Sequence, residues 1–386
     1  MFKKSLTALA VLSSMTGFAC AGQVTLYGVV DEGLNYSKED VKVDGGKKVD
    51  QHTKVDQHTF GLDSGLNAGS RIGLTGQEAL GNDMTVGFKL ENGFDADTGA
   101  FSDKDRIFNR EASLTVSSPF GRLSAGRMGG IASAAGSYDI VYSIGDVFDG
   151  GDNKIFGLAK SARYDNMITY QTPMMGGLQA TVQYSFKENS TDANRLTARE
   201  GSSDANRYTS AALTGNYGPF NAVLAYELQD YGSTIDTSKM PSKDGQAIYL
   251  GGNYDFGVAK AFAMAQYFKG QQTTDAVKAI NLAKPLTPSE GYKGYGLHLG
   301  TIVPVCSGNL TIGGYYVDGQ AESDKEADRD NNYIGVATRY VYPLSRRTSL
   351  YAGAGYAHAK MDGTATDKGD TKANVTQAYM GLTHKF

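Results

Sequence analysis

The chain has 386 residues, with 37 basic and 41 acidic side chains, 49 Gly, 24 Tyr, 16 Phe, 8 Pro and no Trp. The acidic balance argues against nucleic acid as a partner. Beyond residue 21 no stretch offers about eighteen consecutive apolar residues, which excludes a transmembrane helix.

The first element is a leader. Lys3 and Lys4 precede an apolar or small run over 5–18, and Ala19-Cys20-Ala21 forms a signal-peptidase pattern. Residues 1–21 therefore read as a secretory signal peptide cleaved after Ala21. A lipid-modified Cys20 would want a Leu-like residue three positions earlier, where Gly17 stands. Cleavage removes two of the 37 basic residues and none of the 41 acids, so residues 22–386 carry a net charge of −6. It also leaves Cys306 alone, which excludes an intramolecular disulfide.

An exported, Tyr-rich chain without a spanning helix has one other way to cross lipid. A closed β-barrel pairs every backbone N–H and C=O internally. Its signature is segments of about ten residues that alternate apolar and polar. In Met84-Thr-Val-Gly-Phe-Lys-Leu, Met84, Val86, Phe88 and Leu90 share one face, while Thr85, Gly87, Lys89 and Glu91 share the other. Sixteen such segments follow in order: 23–36, 69–79, 84–92, 108–117, 122–128, 162–171, 178–186, 207–217, 220–229, 246–255, 258–269, 292–304, 309–318, 332–343, 348–359 and 374–386. Alternation slips in 258–269, and the strand at 207–217 is ambiguous.

The links alternate in length. Tight ones lie around 80–83, 118–121, 217–220, 254–257, 306–309 and 344–347, with the Gly, Pro and Asn of hairpin turns. Long polar ones span 37–68, 93–107, 129–161, 187–206, 230–245, 270–291, 319–331 and 360–373. Short turns at one end and long loops at the other mark an outer-membrane barrel. Sixteen strands would leave a water-filled lumen. The expected fold is thus an all-β, sixteen-stranded antiparallel transmembrane β-barrel with short periplasmic turns and long extracellular loops.

Six stretches then carry a family resemblance: Val24-Thr-Leu-Tyr-Gly-Val-Val-Asp31, Ser70-Arg-Ile-Gly-Leu-Thr-Gly76, Phe88-Lys-Leu-Glu-Asn-Gly-Phe94, Phe108-Asn-Arg-Glu-Ala112, Phe120-Gly-Arg-Leu-Ser-Ala-Gly-Arg127 and Met380-Gly-Leu-Thr-His-Lys-Phe386. Together they resemble the general porins of beta-proteobacteria. The resemblance implies a trimer of barrels in the outer membrane, each with its third loop folded into the pore. It also implies passive diffusion of ions and small hydrophilic solutes; a solute-selective channel on the same barrel is the alternative. The terminal Phe386 matches the family's address for the barrel-insertion machinery.

Pore residues follow from parity and motif. Neighbouring apolar residues set Arg71, Lys89, Arg163 and Arg339 away from lipid, where a charge costs about 2–4 kcal/mol at mid-depth. By resemblance, Arg71, Arg110 and Arg163 match the family's constriction arginines, with Arg127 a lesser candidate. Strict alternation conflicts with this for Arg110, which falls with Ala112, Leu114 and Val116, and for Arg127, which falls with Leu123 and Ala125. A bulge would reconcile the two by flipping the parity; a position at the rim is the alternative. The segment 128–161 reads as the pore-folded loop. Its acids Asp139, Asp146, Asp149 and Asp152 are expected to set a transverse field against the arginines, with a modest anion preference.

Other features point less far. Val49-Asp-Gln-His-Thr recurs at Val55-Asp-Gln-His-Thr, which sets His52 and His58 beside Asp50 and Asp56. Metal binding is one reading; a duplicated surface-loop segment is the plainer one. The run 322–330 reads as a solvated loop tip near the cations that bridge lipopolysaccharide. No phosphate-loop or dinucleotide pattern occurs, so no cofactor is expected. Five His without a partnered nucleophile leave no enzyme constellation.

Overall fold

The computed structural model describes residues 23–43, 53–156, 158, 162–186, 206–231, 243–271, 290–322, 329–362 and 370–386. The leader, His52 and the heart of the 322–330 run lie outside these residues. In chain order the strands are β1 (Gln23–Val43), β2 (Thr53–Ser64), β3 (Arg71–Gly81), β4 (Met84–Asp95), β5 (Ala100–Phe101), β6 (Glu111–Ser118) and β7 (Gly121–Gly129). A short helix, α1 (Val141–Gly145), precedes β8 (Gly151–Asp152) and β9 (Ile155–Phe156). Then follow β10 (Arg163–Gln171), β11 (Leu178–Ser185), β12 (Arg207–Tyr217), β13 (Phe220–Asp230), β14 (Gly245–Asp255), β15 (Lys260–Gln271), β16 (Gly291–Val305), β17 (Gly308–Glu322), β18 (Arg329–Pro343), β19 (Thr348–Met361) and β20 (Thr371–Lys385).

The wall is a closed antiparallel barrel of sixteen strand positions. β1 pairs with β20 from Val29 to Val43, which closes the sheet. On its other edge β1 meets β3 over Gln23–Val29 and β2 over Glu32–Val43. β2 and β3 therefore share one wall position, broken at 65–70. β5 is an offshoot of β4, and β8 pairs only with β9. Closure matters in lipid because it leaves no edge strand with unpaired backbone groups.

One expected link proves to be wall. Much of 37–68 is strand: β1 continues to Val43, and β2 runs beside it. Its charges had the look of a solvated loop. They instead form cross-strand pairs such as Lys38 with Asp56, 3.7 Å apart, which a rim above the hydrocarbon tolerates. His58 lies in β2 opposite Lys38, with an exposed side chain. No metal-holding group of three or more His, Cys, Asp or Glu occurs among the described residues.

Tight turns join the strands at one end. Between β3 and β4, Asn82 and Asp83 both have positive φ, 52° and 56°. That is the primed turn whose twist suits a two-residue hairpin. Cys306 sits exposed in the turn between β16 and β17.

Alternation divides the two faces. Ile72, Leu114, Leu224, Leu250, Leu299 and Val336 stand exposed on the outside. So broad an apolar surface would be a liability in water; around a barrel it is the lipid belt. The opposite face is not an empty tube. The described residues of 130–156, with Leu158, lie within it, packed on the wall from β12 to β20. Val141 and Tyr142 of α1 join Val223 of β13, Tyr249 of β14 and Met264 of β15 in one apolar cluster. Val147, Ile155 and Leu158 drop onto wall glycines. A Cβ at Gly300 would lie 2.5 Å from Val147 Cγ1, one at Gly296 2.5 Å from Leu158 Cδ2, and one at Gly355 2.5 Å from Ile155 Cγ1. Glycines inside strands here serve close approach. Each of these side chains, once buried, contributes about 1.5–3 kcal/mol to holding the loop.

Candidate pore constriction

The loop covers one side of the lumen and leaves the wall from β3 to β10 facing it. There the register sets the inward rows. Lys89 stands between Thr75 and Ser113, and Glu91 between Gly73 and Glu111. The Glu91 side chain is 5% exposed and that of Glu111 1%. Carboxylates so buried need partners. Glu91 accepts the Tyr27 hydroxyl at 2.8 Å and Arg110 Nε at 2.7 Å. Arg71 Nε and Lys89 Nζ stand 3.8 and 3.9 Å from the same carboxylate. Glu111 accepts Lys89 Nζ at 2.8 Å and Ser113 Oγ at 3.0 Å. It also takes the Ser137 hydroxyl at 2.7 Å and backbone N–H at 3.2 Å, which ties the loop to this wall.

Arg110 reaches Glu91 although its parity groups it with Leu114 and Val116. It precedes β6, so strand alternation does not hold it. Gly69 and Gly93 leave it room: a Cβ at either would lie 3.2 or 3.1 Å from the Arg110 side chain. Arg163 opens β10, and its electrostatic neighbours are Arg110, Arg127, Glu91 and Glu111. Between it and the rest of β10 the register against β7 shifts, from Tyr164 to Met167, with Asn166 at φ 52°. This bulge puts Tyr164 and Met167 both on the buried face. Arg163 Nε is buried without a hydrogen-bond partner. Arg127 turns aside, with Nη1 2.6 Å from Asp165 and Nε donating to the Asn109 carbonyl at 2.8 Å. Arg106 completes that group with a two-pronged contact to Asp165 at 2.7 and 2.8 Å.

The loop acids are not set against these arginines. Buried carboxylates seek donors, and tyrosines on the far wall supply them. Asp146 accepts the Tyr315 hydroxyl and the Phe148 N–H, each at 2.8 Å, and stands 3.5 Å from His298. Burial pushes its carboxyl above the usual range, opposed by His298 and these donors. Asp152 accepts the Tyr379 hydroxyl at 2.6 and 2.7 Å and lies 3.4 Å from Arg339 Nη1. Burial raises its pKa also, against the pull of Arg339. Asp139 is raised by burial and by the neighbouring Asp149 carboxylate; Asp149 itself is exposed. The loop acids thus mainly pin the loop.

The carboxylates that do face the arginines come from the wall: Glu91, Glu111 and Asp165. The alternation had put Glu91 on the face of Lys89, so the signal was present. Arg106 and Asp165 gave none, because one lies outside a strand and the other at the bulge. Arg71, Lys89, Arg110 and Arg163 oppose Glu91 and Glu111, four cations against two anions, a ring net charge of +2. Space continues on both sides of the ring. A cavity of about 350 Å³ lies towards the loops, lined by Asn35, Asp63, Asp95 and Asp97. Another of about 200 Å³ lies towards the short turns, lined by Lys89, Thr115 and Arg122 among others.

Known proteins resemble this chain in sequence and fold. The Gram-negative porin family profile matches residues 6–363. An outer membrane porin protein of Bordetella pertussis is 32% identical over the whole of both chains. Outer membrane porin protein 32 of Delftia acidovorans is 27% identical, also over the whole of both. Among solved structures, the anion-selective porin from Comamonas acidovorans superposes with a TM-score of 0.62 at 24% identity, over 95% of this chain and 100% of that one. With its closed sixteen-strand wall and inward loop, the chain belongs to the Gram-negative porin family, the channels of the outer membrane.

Proposed function

We propose that this porin passes small hydrophilic solutes and ions with a modest preference for anions, as a homotrimer and without catalysis. The carrying observation is the ring of Arg71, Lys89, Arg110 and Arg163, whose charge Glu91 and Glu111 only partly offset. Permeation is decided where charges crowd the ion, not by the chain's net charge. Net charge mostly reports loops screened beyond about 8–10 Å. Arginine also stays protonated and offers carboxylates and phosphates a planar fork. The relative from Comamonas acidovorans is described as anion-selective; at its identity it lends the fold, and the preference is argued from this chain's own residues. Asp139, Asp146, Asp149 and Asp152 support the throat by anchoring or shaping the loop, and Arg127 braces its rim.

The reading extends to biogenesis. Residues 1–21 serve as a cleaved leader, and Phe386 as the assembly signal for the insertion machinery. Lipopolysaccharide would surround the rim.

The test is the zero-current potential across a planar bilayer in a KCl gradient. The wild type should show a potential of anion sign, and Arg71→Ser with Arg163→Ser should move it towards cations. A wild type that strongly prefers cations, or a double variant with no shift, would refute the assignment.

A further inference from the structure

Arg122 lines the cavity on the short-turn side of the ring. It lies in β7 on the face of Ser124, opposite Ser117, which in turn stands opposite Thr85 of β4. Thr85, Ser117 and Arg122 thus form one inward row across three strands. The row above holds Gly87, Thr115 and Ser124, and the next holds Lys89. These residues bound the 200 Å³ cavity on the short-turn side of the constriction, except Ser124, whose hydroxyl is 2.6 Å from that of Tyr138 of the loop. The Arg122 guanidinium lies 6.0 Å from the Tyr138 ring centre, a distance at which a cation is held over an aromatic face. Among the described residues Arg122 has no ion pair, and its side chain is exposed. Its N–H fork is therefore free for a solute, unlike that of Arg110, which Glu91 engages.

Spacing gives this placement meaning. Arg122 is level with Thr85, four residues along β4 from Lys89, or about 13 Å at strand rise. Arg110 lies three residues beyond Ser113, the partner of Lys89, about 10 Å further on. An anion leaving the ring past Lys89 would meet Arg122 at an interval near a Debye length. Around Arg122 the wall offers the hydroxyls of Thr85 and Ser117, while that of Thr115 lies 2.7 Å from Ser124 Oγ. Gly87 keeps the centre open, since a Cβ there would meet only Gly76 O at 3.1 Å and Gln77 Cβ at 4.0 Å.

We propose that this inner vestibule is a second anion station, centred on Arg122, for small organic anions that carry hydroxyl groups. The inference deepens the anion reading of the throat and rests on it. The guanidinium binds a carboxylate, and the Thr and Ser row takes the hydroxyls that a plain carboxylate lacks.

The test uses the full-length protein in planar bilayers, with gluconate and acetate as probes of equal charge. The readout is the concentration that half-blocks the chloride current. In the wild type gluconate should block at lower concentration than acetate. Arg122→Ser should weaken the gluconate block by about five- to tenfold, the effect of losing one charge-assisted bond in a wet site. Gly87→Val, which fills the vestibule and keeps the charge, should weaken it as well. The fraction of heat-modifiable barrel in Arg122→Ser should match the wild type, showing that the fold is intact. An unchanged gluconate block in both variants, or equal block by acetate and gluconate in the wild type, overturns the station. The zero-current potential separates the two ideas: a cation-selective wild type defeats the throat assignment, while the Arg122→Ser comparison still decides the station.

Discussion

Arg110 and Glu91 meet at 2.7 Å inside the lumen, although Arg110 holds the parity of the lipid-facing residues of β6. The contact exists because Arg110 stands just ahead of the strand and passes Gly93. It is also the closest ion pair that offsets the positive ring. Glu91→Gln should therefore leave the fold intact and raise anion preference, since one of two carboxylates is neutralised. The amide keeps part of the hydrogen bonding, so the expected loss of stability is about 1–3 kcal/mol. The zero-current potential in KCl checks the first effect, and the temperature at which the barrel unfolds on a gel checks the second. An unmoved potential would mean that Glu91 does not tune the ring.

The seam that closes the barrel ends at Phe386 and Gly28. Their backbones exchange two hydrogen bonds of 3.1 Å, and the Phe386 ring lies over the glycine. A Cβ at Gly28 would fall 2.3 Å from Phe386 Cζ and 2.8 Å from the Arg71 carbonyl oxygen. Gly28→Ala should therefore impair assembly by overpacking, which typically costs about 1–3 kcal/mol. The fraction of heat-modifiable barrel measures this. Assembly of Gly28→Ala at the wild-type level would show that the seam relaxes freely.

The loop should respond to pH through Asp139. Burial and the adjacent Asp149 hold its carboxyl well above the ordinary value, which is about 4. For an acid whose pKa is raised in the docked state, docking gains nothing below the ordinary value, where both states are protonated. Above it the undocked loop ionises first, so docking weakens as pH rises through the window up to the elevated value. Open-channel current noise should accordingly grow from pH 5 to alkaline pH, and Asp139→Asn should flatten that trend. The same slope in the variant would exclude Asp139 as its source.

Much of this was legible in residue order. Alternation such as Met84 to Leu90 located the wall strands, and the Gly, Asn and Pro links located the turns. Parity erred where the backbone departs from regular strand. At Arg110 the strand has not begun. The run 37–68 deceived because paired charges above the membrane resemble a loop. Glycines such as Gly296 and Gly300 had no evident purpose until Leu158 and Val147 were seen against them; contacts across the lumen leave no local pattern. For the same reason Asp146 and Asp152, separated in sequence from Tyr315 and Tyr379, could not be assigned to the far wall.

Solutes should travel along the β3–β10 wall, because the loop seals the opposite side. Cysteine accessibility tests it most directly. In a Cys306→Ser background, Thr115→Cys lies on the open path, whereas Val223→Cys lies beneath the loop at 1% exposure. A small, negatively charged methanethiosulfonate is added to single channels of each. Thr115→Cys should show a stepwise fall in current and Val223→Cys no change. Rapid modification and block at Val223→Cys, with Thr115→Cys inert, would contradict it.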